Sequence, residues 1–287
     1  MIIVTGATGQ LGHAIVQELL KLVPASRVGV SVRDPGKASD LEALGVRVRQ
    51  GDFADPASLQ HTFEGADQVL MVSSNARAYG GDPLAQHQSA IGAARSAGVK
   101  RIVYTSQIAA SPTSAFSPAI DHAATEELLR RSGLAWTSLR NGFYASSGLM
   151  SMGNALDTGL LEAPADGKVA WAAHADLAEA AAILLASPGR YEGPTPPLTG
   201  SQALDLADLA AIATELGRPV RRTVFADEEL GAKLEARGMP AGAARFMLGN
   251  AIASRGGEFG PVDGTLEQLI GHPPTTMRDL IAAKLGR

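Results

Sequence analysis

The first thirty-three residues constrain the fold more than any other stretch. Ile2, Ile3 and Val4 form a short apolar run closed by Gly6, the pattern of a strand buried in a parallel sheet. Thr5-Gly6-Ala7-Thr8-Gly9-Gln10-Leu11-Gly12 then places glycines three apart. Leu11, Ile15, Leu19 and Val23 follow at near-helical spacing, and a second apolar run, Val28 to Val32, ends at Arg33. Strand, glycine turn, helix and strand make a βαβ unit. Its turn needs glycine because a side chain would hold a pyrophosphate off the backbone. Its helix start offers N–H groups and a positive dipole end to an anion. The Gly6–Gly12 turn is therefore a candidate dinucleotide cradle, the alternative being a plain structural turn.

Arg33 selects between dinucleotides. It lies 21 residues beyond Gly12, the register at which the end of the second strand faces the adenosine ribose. An acid there bonds the ribose 2′-hydroxyl, whereas an arginine suits a 2′-phosphate through its forked donors. Asp34 is adjacent but leaves the strand in a different direction. Lys37 is a second cation for the same phosphate. The expected cofactor is NADP(H), against the alternative of an ordinary exposed strand-end arginine.

With 287 residues, 45% of them hydrophobic and 19% charged, the chain buries a sizeable core. A formal charge of −4 gives no footprint for nucleic acid. The absence of cysteine removes disulfides, thiolate ligands and a cysteine nucleophile, and it fits a reducing cytoplasm. The first strand begins at Ile2, leaving no room for a signal peptide, and no apolar stretch approaches the roughly 20 residues of a spanning helix. A soluble cytoplasmic protein with no membrane partner is expected. His13, His61, His87, His174 and His272 lack metal-ligand spacing and read as surface or capping residues, so no metal is expected.

Strands and helices continue to alternate after Arg33. Helices are expected over Pro35–Leu44, from Asp55-Pro56 to near Gly65, over Leu84–Ala97 and over Ala119–Ser132; strands over Val46–Arg49, Val69–Val72, Ile102–Thr105 and Ala135–Leu139. Such alternation means an α/β fold with a doubly wound parallel sheet, a Rossmann-type fold whose ligands lie at the carboxyl ends of the strands. The loops at Gly6–Gly12, Gly51–Phe53, Ser73–Asn75, Thr105–Ser111 and Asn141–Ser147 are expected on one rim. Phe143 to Leu161, with Met150 and Met152, reads as a mobile apolar cover. Further helices are expected over Asp176–Ala186, Leu206–Leu216, Asp227–Arg237, Ala241–Ala253 and Thr276–Leu285, with strands at Val169–Trp171 and Val220–Phe225 and a Pro/Gly-rich boundary at Pro188–Pro197. The expected domains are 1–143 plus about 168–188 for the cofactor, and about 144–167 plus 189–287 as a smaller, mostly helical substrate lobe.

These residues resemble the atypical short-chain dehydrogenase/reductases, in their NmrA-like branch, and within it the triphenylmethane reductases and NADPH-dependent quinone oxidoreductases. The resemblance spans nearly the whole chain. It rests on VTGATGQLG at the start, Val32-Arg33, Gly51-Asp52, Ala97-Gly98-Val99-Lys100, His122-Ala123-Ala124-Thr125-Glu126 and Leu139-Arg140-Asn141-Gly142-Phe143-Tyr144. It implies that Thr8, Gly9, Gln10 and Leu11 wrap the pyrophosphate, Arg33 and Lys37 hold the 2′-phosphate, and Asp52 and Phe53 flank the adenine. Ser73, Ser74 and Asn75 then lie along the nicotinamide ribose, with Thr105 and Ser106 near the nicotinamide. Asp52 has an alternative reading as a cap for the helix at Asp55.

The chain also departs from the wider pattern. Typical members use a tyrosine and a lysine four residues apart; aligned through Glu126, those positions hold Pro118 and His122. Proline carries no proton to give. Alcohol or ketone chemistry and sugar-nucleotide epimerisation by the standard route are therefore disfavoured. Acceptors that take hydride without concerted protonation fit better, such as quinones, cationic triarylmethane dyes and other electron-poor aromatics. His122, through ribose contact or proton delivery near neutral pH, and Ser106 are the candidate catalytic residues. The alternative for His122 is a helix-face residue bonded to a loop carbonyl. Tyr79, Phe116, Phe143, Tyr144, Met150 and Met152 are candidates for an aromatic acceptor's pocket, against the alternative of simple core. The rival function is a non-catalytic NADP(H) sensor that signals to a protein partner.

Overall fold

The computed structural model describes residues 1–236, 238–239 and 241–287. In chain order the elements are β1 (Ile2–Thr5), α1 (Gln10–Leu22), β2 (Val28–Val32), α2 (Ser39–Ala43), β3 (Arg47–Gln50), α3 (Pro56–Phe63) and β4 (Gln68–Met71). There follow α4 (Pro83–Ser96), β5 (Arg101–Gln107), α5 (Ser117–Arg131), β6 (Ala135–Asn141), β7 (Phe143–Tyr144), α6 (Ala145–Ser151), α7 (Ala155–Thr158), β8 (Leu160–Pro164) and β9 (Val169–Ala172). The chain ends with α8 (His174–Ala186), β10 (Gly193–Pro194), β11 (Ala203–Leu204), α9 (Leu206–Glu215), β12 (Arg221–Phe225), α10 (Glu229–Glu235), α11 (Ala241–Arg255), α12 (Thr265–Ile270) and α13 (Met277–Lys284).

The chain divides into two compact units. The first comprises Met1–Gln107, Asp121–Arg140 and His174–Pro196. It holds a seven-stranded parallel sheet in the order β10-β6-β5-β4-β1-β2-β3. The order reverses between β1 and β4, so the two strands that begin the outward halves lie side by side. That is the switch point at which a doubly wound sheet opens a crevice for a ligand. Successive strand residues point to opposite faces. Ile3, Val69, Met71, Ile102 and Tyr104 pack with Leu59 and Phe63 of α3, Ala90, Ile91 and Ala94 of α4 and Leu129 of α5. Helix α1 packs against α8. The fold is the expected α/β doubly wound sheet.

The second unit comprises Ile108–Ile120, Asn141–Ala173 and Pro197–Arg287. It carries a three-stranded sheet, β11-β9-β7, and the pair β12-β8. Its core gathers Phe116, Trp171, Leu209, Phe259, Met277 and Ile281. The expected domain division placed residues 108–120 with the cofactor domain. In the structure they group with the second unit, because Ala109, Phe116 and Ala119 belong to its core.

Several local expectations change. The stretch Pro35–Leu44 is a 3₁₀ turn, Pro35–Ala38, followed by the short α2. The Pro/Gly-rich boundary contains a strand, β10, at the sheet edge; Pro194 lacks an N–H and suits only such an edge. Phe143–Leu161, expected as a mobile cover, folds as β7, α6 and α7, with Met152 buried in the core. The helix expected over Asp227–Arg237 covers Glu229–Glu235, and Arg237 lies outside the described residues. No helix among the described residues is long and apolar enough to cross a membrane.

Candidate functional site

The glycine turn after β1 has the geometry of a cradle. Gly6 takes φ +62°, and its carbonyl accepts from Gly9 N–H at 2.9 Å, folding the turn back onto the start of α1. A Cβ on Gly12 would lie 2.4 Å from the Gly6 carbonyl oxygen, so only glycine lets helix and turn approach so closely. Gly9 is the N-cap of α1 and supplies no side-chain acceptor, leaving the first N–H groups of the helix uncapped. Thr8, Gly9 and Gln10 are exposed around it, whereas Leu11 is buried and contributes backbone. The residues fit a bound pyrophosphate.

At the end of β2 the two neighbouring charges take different roles. Asp34 caps the 3₁₀ turn by accepting from Gly36 N–H at 3.1 Å. Arg33 and Lys37 are exposed, and neither side chain has an ion-pair or hydrogen-bond partner among the described residues. The acid is committed to the backbone, and two cations stay available for a phosphate. After β3, Asp52 does not cap α3; Asp55 does, accepting from Ala57 and Ser58 N–H. Asp52 instead takes Ala54 N–H at 2.9 Å. It and Phe53 are half-buried.

The loop after β4 is tied down through three consecutive backbone amides. Val72 N–H donates to Thr5 Oγ1 at 3.0 Å, Ser73 N–H to Thr105 Oγ1 at 2.8 Å, and Ser74 N–H to His87 Nε2 at 2.8 Å. The Ser74 hydroxyl bonds Gln86. Asn75 is exposed at the tip. Thr105, expected beside the nicotinamide, is buried with its hydroxyl on Ser73, so its direct role is to shape this loop. His87 was expected at the surface; it is 2% exposed on the inner face of α4. Burial, with His122 nearby, pushes its pKa down to about 4.

The two expected catalytic side chains are both engaged. The Ser106 hydroxyl donates to Glu126 Oε1 at 2.8 Å, and the same carboxylate accepts from Ser138 at 2.9 Å and from Arg140 at 3.1 and 2.7 Å. His122 Nδ1 lies 2.7 Å from the Tyr104 hydroxyl and is not bonded to a loop carbonyl. Burial pushes the His122 pKa down to about 4, so the imidazole is neutral at pH 7 and holds no imidazolium proton for delivery there.

The acceptor-pocket candidates divide between the units. In the first unit Tyr79 is 83% exposed. In the second, Phe116 is core rather than pocket lining, packed on Phe143, Phe246 and Phe259 at centroid distances of 5.6, 5.1 and 5.7 Å. Phe143 and Tyr144 are half-buried, and burial raises the Tyr144 phenol pKa. Met150 is exposed and Met152 buried. A cleft of about 320 Å³ in this unit is lined by Ile108, Ala109, Ala110, Ser111, Thr113, Ser114 and Glu258. Sequence reading placed the Thr105–Ser111 loop on the ligand rim but did not find Thr113, Ser114 or Glu258, which reaches the cleft from a distant part of the chain.

A doubly wound sheet with a glycine cradle at its switch point and free cations at the end of β2 defines a dinucleotide-binding protein. A family model described as NAD(P)H-binding matches residues 6–188. Quinone oxidoreductase 2 of Escherichia coli (strain K12) is 41% identical over 285 residues, covering 98% of this chain and 98% of that protein. The crystal structure of an NADPH-dependent quinone oxidoreductase from Escherichia coli complexed with NADPH is similar at a TM-score of 0.92 and 39% identity, over 99% of this chain and 100% of that one. The Citrobacter sp. triphenylmethane reductase complexed with NADP(H) is similar at a TM-score of 0.87 and 34% identity, over 99% of each chain. The chain belongs to the NAD(P)H-binding NmrA-like family and is an oxidoreductase of that family.

Proposed function

We propose that the chain is an NADPH-dependent reductase whose acceptor is a quinone or a similarly electron-poor aromatic. The observation that carries the acceptor class is the state of α5. Pro118, which the sequence alignment through Glu126 puts at the position of a proton-donating tyrosine, has no proton to give, and His122, four residues on, is a neutral imidazole paired with Tyr104. An acceptor that spreads the charge it receives over a conjugated system needs no proton in the same step. NADPH, when bound, supplies the hydride. The chain's own part is binding and orientation. The Gly6–Gly12 turn receives the pyrophosphate, Arg33 and Lys37 the 2′-phosphate, Asp52 and Phe53 the adenine, and the Ser73–Asn75 loop the nicotinamide ribose. The second unit's cleft has the volume of a small-ligand site, and Phe143 and Tyr144 offer aromatic contact. The relatives solved with NADPH and NADP(H) support this cofactor reading.

Purified protein incubated with NADPH and a panel of benzoquinones, naphthoquinones and triarylmethane dyes is expected to oxidise the cofactor, followed by loss of nicotinamide absorbance. Absence of turnover with every member would overturn the acceptor class.

A further inference from the structure

Three successive amides fix the loop after β4, but their acceptors differ in kind. Thr5, the last residue of β1, and Thr105, within β5, belong to the strands flanking β4, and their hydroxyls extend the sheet's own order by one step each. His87 reaches in from α4, outside the sheet, and takes the last of the three. Ser74 N–H can only donate, so Nε2 accepts and the ring proton sits on Nδ1. That proton points to Thr125 Oγ1 at 2.8 Å, whose own hydroxyl donates to the Asp121 carbonyl at 2.8 Å. The chain of bonds therefore has one consistent direction, from Ser74 through His87 and Thr125 into the backbone of α5. Arg77, three residues beyond Ser74, adds a two-pronged ion pair to the Asp121 carboxylate at 2.8 and 2.6 Å. The His87 ring also stands edge-on to Phe53 at 6.4 Å and to Tyr104 at 5.3 Å.

We infer that His87 is a positioning residue for the cofactor: by accepting Ser74 N–H it holds the Ser73–Asn75 loop in the shape that receives the nicotinamide half of the dinucleotide. This rests on the cofactor placement proposed above. A buried histidine with a purely packing role needs no such bond, and an apolar residue of similar size would serve at that position. The bond to Ser74 is what ties the helix to the loop.

Side-chain reach separates the two bonds of the ring. In His87→Gln the amide oxygen falls near the Nε2 position and accepts from Ser74. In His87→Asn the amide reaches only the Nδ1 position, retaining Thr125 and losing Ser74. His87→Leu loses both. Two ligands are titrated against each variant: NADP⁺, and adenosine 2′,5′-bisphosphate, which lacks the nicotinamide half. His87→Gln is expected to bind NADP⁺ within threefold of the parent, and His87→Asn and His87→Leu at least tenfold more weakly. Bisphosphate affinity should stay within twofold throughout. Hydrogen exchange of the Ser74 amide should accelerate at least tenfold in the Asn and Leu variants, and that of Ser73 should not. Equal NADP⁺ affinity in the Asn and Gln variants, equal loss for both ligands, or an unchanged Ser74 amide would overturn the inference. A parent protein that binds neither ligand would overturn the cofactor reading itself, which is a separate failure.

Discussion

The phenol oxygen of Tyr104 lies 2.7 Å from Nδ1 of His122, and Tyr104 is wholly shielded from solvent. The bond joins β5 to α5, and burial holds the imidazole near a pKa of about 4. Above that value His122 is neutral, and it gains charge only as the pH falls through it. Between pH 6 and 8 it therefore contributes no titrating proton. The kcat/KM profile with a quinone acceptor is expected to have the same shape over that range in the parent and in His122→Asn. A limb near pH 6.5 that disappears in the variant would show His122 working as an acid after all.

The buried His87 makes the fold acid-sensitive. Its pKa is near 4 in the native chain and 6.5 in the unfolded one. The groups facing it are His122 and Asp121 from α5 and Asp82 at the start of α4. With the folded pKa depressed, the unfolded state binds the extra proton first. Stability is full above about pH 6.5, declines as the pH drops toward 4, and levels off below. The loss attributable to His87 by pH 4.5 is roughly 2 kcal/mol. Urea unfolding at pH 7 and pH 4.5 should show His87→Gln losing less than the parent by about that amount, and equal losses would contradict the assignment.

Much of this was legible in the sequence, for a physical reason. The Gly6–Gly12 turn and the apolar runs of β1 and β2 obey short-range rules, and the structure keeps each of them, with Arg33 directly after β2. What escaped depends on long-range pairing. Ser106, Glu126, Ser138 and Arg140 come from three separate elements, and only the folded sheet brings their polar atoms together. His87 had a signal that went unused: Pro83, His87, Ala90, Ile91 and Ala94 form one buried helical stripe, so a histidine in that stripe had to face inward and find a partner. Strand β10 was hidden because two residues are too short to show alternation.

Glu126 anchors the largest of these buried networks. It is 8% exposed and accepts from two serine hydroxyls and, with two bonds, from the Arg140 guanidinium. Truncation would leave a partly buried arginine and two hydroxyls without their acceptor. Glu126→Ala is expected to destabilise the fold by about 3 kcal/mol. Glu126→Gln, which keeps an acceptor oxygen but not the charge, should cost less. Chemical denaturation of the two variants tests the ranking, and a loss below about 1 kcal/mol for the alanine would mean that water replaces the carboxylate at little cost.

Arg33 makes the opposite case, a side chain whose effect should appear only with ligand. It is exposed and without an intramolecular partner among the described residues, so Arg33→Asp should move stability by no more than about 0.5 kcal/mol. Toward a 2′-phosphate the substitution removes charge-assisted bonds and adds repulsion, and NADPH affinity should fall by roughly 2 kcal/mol or more. NADH has a plain 2′-hydroxyl that an acid at this position can accept from, so its affinity should change little or rise. Calorimetric titration of both nucleotides into parent and variant separates these outcomes. Equal weakening of the two would mean that the 2′-phosphate is held elsewhere, leaving Lys37 as the residue to test next.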